Sequence, residues 1–193
     1  MRSSYIEMNY GMVFRALILA HKPSTVVECG VLDGYSTSNI AQALRHNRIA
    51  RGIRSSFVAY DLWEGYEYKH GRFKEVATFL REAGFLNHYV SLHYGDAFDV
   101  VKNWQDLAVD FLHMDISNDG DILRRTLQYW GPKISQGGII AFEGGSTKRD
   151  NIEWMKKYNK KPIVPVLEQL LGSEEWVFQI FTEYPSLTLL FKK

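Results

Sequence analysis

The sequence predicts an α/β domain built on a mostly parallel sheet with helices on both faces. Three observations carry this. Apolar runs of strand length alternate with helical patterns through most of the chain, the order that calls for crossover connections and parallel pairing. Five of these runs each end at or beside a carboxylate: Glu28, Asp61, Asp96, Asp115 and Glu143. The last two runs, Trp176–Phe181 and Leu187–Phe191, are joined across Tyr184-Pro185-Ser186 without a helix between them. They close the sheet as an antiparallel pair.

The elements follow in order. Tyr10, Phe14, Leu17 and Ile18 share one helical face, and their helix stops before Pro23. Thr25–Cys29 is a short buried strand broken by Gly30, and Ile40, Ala41 and Leu44 mark one side of the helix that follows. Phe57–Tyr60 is the second strand and runs into Asp61. Phe73, Val76, Ala77 and Leu80 have the i, i+3, i+4, i+7 spacing of an amphipathic helix over 73–83, closed by Gly84. Val90–Tyr94 is a third strand leading to Gly95-Asp96, and Val109–Met114 is a fourth leading to Asp115. Leu123, Thr126, Leu127 and Trp130 form the inner face of the next helix, stopped by Gly131-Pro132. Gly137-Gly138 turns into the fifth strand, Ile139–Phe142, ending on Glu143. Residues 144–165 are polar, with two prolines and four lysines between 156 and 161, and read as a loop or lid on the substrate side; 166–171 is helical. Residues 1–22 form an N-terminal helical segment, and the whole of 1–193 is expected to be one domain.

Composition narrows the function classes. The 193 residues suit one α/β domain with a real core. With 46% hydrophobic and 23% charged residues the balance is that of a globular protein. A net charge of +1 lacks the basic excess of a nucleic-acid-binding domain, so no nucleic-acid partner is expected. A single cysteine, Cys29, excludes an intrachain disulfide and fits a reducing cytoplasm. It follows Val26-Val27-Glu28 and is expected to be a buried structural thiol. No signal peptide and no apolar run of membrane-spanning length is visible, so a cytoplasmic location without membrane contact is expected.

In an open parallel sheet, ligands bind beyond the carboxyl ends of the strands. The sharpest candidate is the segment from Glu28 to Thr37. Gly30 and Gly34 allow a tight turn and close ligand approach, and the helix starting near Ser36 and Thr37 directs free N–H groups at the loop. The acid-x-Gly-x-x-x-Gly spacing differs from the G-x-G-x-x-G dinucleotide fingerprint, since position 32 is Leu, so NAD is the weaker cofactor reading. Asp61 is placed to accept the two hydroxyls of a ribose, and Asp96 to accept the amine of an adenine, with Ala97 and Phe98 beside the ring and Trp63 as a further apolar wall.

These motifs resemble those of class I S-adenosylmethionine-dependent methyltransferases, and within that class the macrocin O-methyltransferase and cephalosporin-hydroxylase-like group. The resemblance rests on Glu28-Cys29-Gly30-Val31, Asp61-Leu62-Trp63-Glu64-Gly65, Gly95-Asp96-Ala97, Phe111-Leu112-His113-Met114-Asp115, and Pro132 to Ile140 with its Gly-Gly turn. It implies a Rossmann-like methyltransferase fold with a seven-stranded sheet, and S-adenosylmethionine as cofactor. The resemblance also implies magnesium held by an acid after the fourth strand, here Asp115, and an acidic pair after the fifth, here Glu143. Such an ion takes hard oxygen ligands and would acidify the oxygen to be methylated. The sequence departs from the family at two places: the third acid falls on Gly144, and the family's Asp-Gly-Asp-His run appears as His113-Met114-Asp115-Ile116. Asp119 or Asp121 could substitute as a ligand, or Asp119 could cap the next helix.

Methyl transfer from a sulfonium requires alignment and, for a hydroxyl acceptor, removal of a proton. Asp115 and Glu143 are the candidate catalytic residues. His113 is a third candidate base but is expected to pack inside the sheet. Lys148 and Arg149 could meet an anionic substrate, although a solvated loop is the ordinary expectation. The expected function is O-methylation of a small molecule. The alternatives are a cofactor-binding protein without turnover and a methyltransferase acting on RNA or protein. A homodimer is compatible with all three.

Overall fold

The computed structural model describes residues 2–105 and 108–193. The chain forms two compact units, one reaching to Val100 and one running from Val101 to Lys193.

The first unit begins with α1 (Tyr10–His21), β1 (Thr25–Cys29), α2 (Tyr35–Arg51) and β2 (Ser56–Asp61). A 3-10 turn at Trp63–Gly65, α3 (Phe73–Glu82) and β3 (Ser91–Tyr94) complete it, and α4 (Ala97–Lys102) starts at its end. α1 stops where Lys22 turns left-handed and closes on the Ile18 carbonyl, just before Pro23 forbids another turn. Phe14, Ile18, Val26, Val27, Ile40 and Ala41 are all fully buried. Gly11 is where α1 and α2 approach closely: a Cβ there would stand 2.6 Å from the Asn39 amide.

The three strands lie in the order β3-β2-β1, all parallel. Four of the five residues of β1 are buried, as expected of a strand covered on both faces. Register then sets the site. Cys29 pairs with Tyr60, and the Gly30 N–H donates to the Tyr60 carbonyl at 2.9 Å, so Asp61 emerges beside the glycine loop.

In the second unit the elements are β4 (Val109–Met114), α5 (Gly120–Tyr129), a 3-10 turn at Gly131–Lys133 and β5 (Ile134–Glu143). They continue as α6 (Thr147–Asp150), α7 (Glu153–Lys157), α8 (Val164–Glu168), β6 (Trp176–Phe181) and β7 (Leu187–Lys192). The strand order is β4-β5-β7-β6; β4 and β5 are parallel, and the other pairings are antiparallel. Together the units contribute the seven strands of the expected mostly parallel sheet with its C-terminal antiparallel hairpin.

Two expectations need correction. β5 begins at Ile134 rather than Ile139, because Gly137-Gly138 lies inside the strand: the register slips between the pairs Val109–Ile134 and Phe111–Ile139, and Gly137 takes φ 76°. The glycines absorb a bulge rather than preceding the strand. Residues 147–150 and 153–157 form two short helices where a loop was expected, and the helix expected over 166–171 lies at 164–168. No helix among the described residues is long and apolar enough to cross a membrane.

Candidate functional site

The carboxyl ends of β1 and β2 build the first candidate site around the glycine loop. Glu28 is fully buried and accepts hydrogen bonds from Ser36 Oγ and Thr37 Oγ1, both at 2.5 Å. These two hydroxyls open α2, so Glu28 ties strand, loop and helix into one rigid turn. Glu28, Ser36 and Thr37 are therefore scaffold beneath the loop, at most 4% exposed, rather than surface contacts for a ligand. Within the turn Gly30 and Gly34 adopt φ 93° and 82°, and Leu32 is held at φ 52°, a conformation costly for a side chain with a Cβ.

Asp61 fastens this loop. Its Oδ2 accepts from the Val31 N–H at 2.7 Å and the Leu32 N–H at 3.0 Å, and its Oδ1 accepts from the Trp63 N–H at 2.8 Å. A carboxylate offers about four acceptor positions, so a single one, on Oδ1, is left for a ligand. The expected grip on both hydroxyls of a ribose is not available in this arrangement.

Asp96 keeps more freedom. Its Oδ1 accepts from the N–H groups of Phe98 at 2.8 Å and Asp99 at 3.2 Å, capping α4, while Oδ2 bonds to none of the described residues. Ala97 and Phe98 are buried behind it. Trp63 does not form a wall: its side chain is fully buried, edge-on to Phe73 at 5.2 Å, and its indole N–H donates to the His93 carbonyl at 2.9 Å. Glu64 latches α3 instead, its Oε1 accepting from the Phe73 N–H and its Oε2 from the Tyr94 hydroxyl. The Glu64 carboxyl is held below its ordinary range by its own backbone N–H and these partners. Burial, reinforced by the Glu28, Asp96 and Asp61 carboxylates, pushes the Cys29 thiol far up, as expected of an inert structural cysteine.

One contact here had no sequence signal. Arg2 clamps Asp33, with Nη2 on Oδ1 at 2.8 Å and Nε on Oδ2 at 3.0 Å, and its Nη2 also donates to the His70 carbonyl.

The second unit carries the other two strand-end acids. Asp115 follows β4 and is half-buried, whereas His113 is fully buried within the strand, as expected. Asp119 caps α5 through the Asp121 N–H at 2.9 Å, and Asp121 pairs with Arg124 on the surface. Neither is set up as a ligand.

Glu143 does not face open space. Its Oε1 accepts from Arg149 Nη2 at 3.3 Å, with the two side chains 12% and 9% exposed. Gly144 and Gly145, at φ 102° and 106°, reverse the chain after β5. Ser146 then caps α6 by accepting from the Arg149 N–H, which turns the guanidinium back over Glu143. Assigned from its bonding network, the Asn118 amide donates to the Glu143 carbonyl at 2.9 Å and accepts from Arg149 Nε at 2.8 Å. Trp154 and Tyr184 lie over the guanidinium, 5.6 and 5.4 Å from its carbon. The expected solvated loop at Arg149 is therefore a buried ion pair in an aromatic bracket.

This geometry decides against the magnesium site expected at Asp115 and Glu143. Glu143 already has a cation, and Asn118 fills the place of the third acid: a Cβ on Gly144 would stand 1.9 Å from the Asn118 side-chain amide. Among the described residues no group of three or more histidine, cysteine, aspartate or glutamate side chains could hold a metal. The donor set does not fit the ion.

Residues 27–143 match the family model described as a methyltransferase domain, a match that spans parts of both units. No curated protein matches the chain. Solved structures share the fold. The O-methyltransferase TomG of Streptomyces achromogenes, solved with SAM, is 17% identical, with 98% of this chain and 86% of that chain covered and a TM-score of 0.69. An O-methyltransferase from Bacillus cereus solved with SAH is 16% identical, with coverages of 100% and 84% and a TM-score of 0.68. The SAH-bound methyltransferase PaMTH1 of Podospora anserina is 15% identical, with coverages of 100% and 80% and a TM-score of 0.70.

Proposed function

Because the chain belongs to the methyltransferase-domain family, we propose that it transfers the methyl group of S-adenosylmethionine to a hydroxyl of a small molecule. The observation that carries the cofactor half is the glycine loop held on Asp61, with the Oδ2 of Asp96 left open beside it. Those groups suit a nucleoside. The remaining Oδ1 position of Asp61 takes one ribose hydroxyl, Asp96 Oδ2 takes the adenine amine, and the loop backbone approaches the rest of the ligand closely. Glu28, Ser36 and Thr37 keep the loop in shape without touching it.

S-adenosylmethionine supplies an activated methyl group, so the protein needs only to orient the acceptor and remove its proton. Asp115, half-buried at the end of β4, is the residue to which we assign proton removal. As the acceptor oxygen bonds to carbon, its hydroxyl proton passes to the Asp115 carboxylate and the carbon–sulfur bond breaks, leaving S-adenosylhomocysteine. Glu143 is the positioning partner of Arg149 in this scheme rather than the base. A reducing compartment suits the single buried thiol.

Calorimetry with S-adenosylmethionine, S-adenosylhomocysteine and NAD tests the cofactor assignment. The first two are expected to bind and NAD to give no heat. Binding of NAD alone would sink the reading. A fold that binds S-adenosylhomocysteine but methylates nothing in a panel of hydroxylated compounds would favour the binding protein without turnover.

A further inference from the structure

We infer that Arg149 is the acceptor-binding cation of the second unit, holding a carboxylate of the molecule to be methylated where a metal ion was expected. The inference rests on the methyl-transfer reading above for the identity of its ligand. Its own basis is the geometry of the guanidinium. Nη2 is used by Glu143 and Nε by Asn118, while Nη1 has no partner among the described residues. The side chain is nonetheless 9% exposed. The hydrogen bonds to Glu143 and Asn118, with Trp154 and Tyr184 packed 5.6 and 5.4 Å from its carbon, hold the guanidinium, so the free edge is kept in place rather than sweeping through solvent. A planar fork of N–H donors held in this way matches a carboxylate, and little side-chain entropy remains to be lost on binding.

Charge favours an anion over a cation as the ligand. Glu143 neutralises Arg149, so attraction over longer range falls to the surrounding segment. Between residues 148 and 161 six cationic side chains (Lys148, Arg149, Lys156, Lys157, Lys160 and Lys161) face two carboxylates, Asp150 and Glu153, in a chain whose net charge is only +1. Lys160 is held in place as well: its Nζ lies 5.9 Å over the Trp154 ring, donates to Ser117 Oγ at 2.9 Å and stands 3.8 Å from Asp119. The Asp119 that could have served as a metal ligand thus anchors a second cation beside the bracket. Such a field concentrates anions and repels divalent cations.

The test uses the full chain labelled with nitrogen-15, following the Arg149 Nε–H resonance, which the Arg149→Lys variant identifies by its loss. Benzoate is the carboxylate probe, benzamide its neutral counterpart, and manganese(II) the paramagnetic stand-in for magnesium. Benzoate is expected to move the Arg149 resonance saturably below about 10 mM, and benzamide to leave it in place. Manganese is expected to leave the backbone resonances of Glu143 and Asn118 sharp. Arg149→Lys should weaken benzoate by about tenfold, because an ammonium cannot present the fork. Tyr184→Leu, which keeps the charge and opens one face, should weaken it less. Equal responses to benzoate and benzamide, no saturable response to either, or manganese broadening at Glu143 overturns the inference. Titrating S-adenosylhomocysteine into the same sample separates the two readings. Its binding without a benzoate response removes only the role of Arg149, whereas a benzoate response without it removes the methyl acceptor as the ligand.

Discussion

Gly71 crosses directly over Leu32: a Cβ at Gly71 would stand 1.7 Å from the Leu32 carbonyl oxygen. The segment after the Trp63–Gly65 turn therefore presses on the glycine loop, backbone against backbone. Gly71→Ala must push the two apart, at a cost of about 1–3 kcal/mol typical of overpacking. Its expected signature is a lower Tm together with S-adenosylhomocysteine binding weakened by about tenfold, read by calorimetry. Unchanged affinity would mean that the loop is not part of the ligand site.

Asp61 holds three N–H groups with one carboxylate. In Asp61→Asn the oxygen still accepts, but the new NH2 group faces a donor. Charge-assisted bonds of this kind contribute about 1.5–3 kcal/mol each. The variant should stay folded by circular dichroism and bind S-adenosylhomocysteine roughly ten- to a hundredfold more weakly. Native affinity would contradict the fastening role.

Asp115 and Glu143 should separate kinetically once an acceptor is in hand. Removing a general base lowers kcat by about 10²–10⁴, so Asp115→Asn is expected to fall in kcat with the acceptor KM nearly unchanged. Glu143→Gln should act mainly on the acceptor KM, by loosening Arg149. A reversed pattern in steady-state kinetics would exchange the two roles.

The Arg2 clamp makes a pH prediction. Arg2 holds the Asp33 carboxyl below its ordinary value of 3.8, chiefly through the side-chain hydrogen bond. A depressed carboxyl pKa contributes stability that is complete above the ordinary value and fades as the pH falls through the lowered one. Arg2→Ala should therefore lower Tm at neutral pH, and the gap from the parent should close as the pH drops below about 3.8. A gap that widens on acidification would contradict the clamp.

Much of the fold was legible in the residues. The bounds of β1 and β4 match the apolar runs, since buried strands need continuous apolar side chains and end where polar residues or glycine interrupt them; those of β6, which is only partly covered, match as well. The acids at the strand ends were legible for the same reason, as positions. Their partners were not. What Asp61 bonds depends on the β1–β2 register and on the turn at Val31 and Leu32, and neither is local to Asp61. Arg149 was the larger miss. Lys148-Arg149-Asp150 reads as solvated charge, while the groups that bury the guanidinium, Asn118, Trp154 and Tyr184, are scattered along the chain. The one local signal was negative: glycine at position 144, where a third acid was expected, leaves room for Asn118.

Cys29 bears on how the protein can be studied. The single thiol is sealed at the end of β1, and its proton is held too tightly for it to act as a thiolate at neutral pH. The surface is thus chemically blank to maleimides and other thiol reagents. A reporter cysteine placed on the exposed Lys156 or Lys157 of α7 would be labelled alone, with no native residue to remove first. A dye or spin label attached there could follow movement beside the Arg149 bracket in an otherwise unaltered chain.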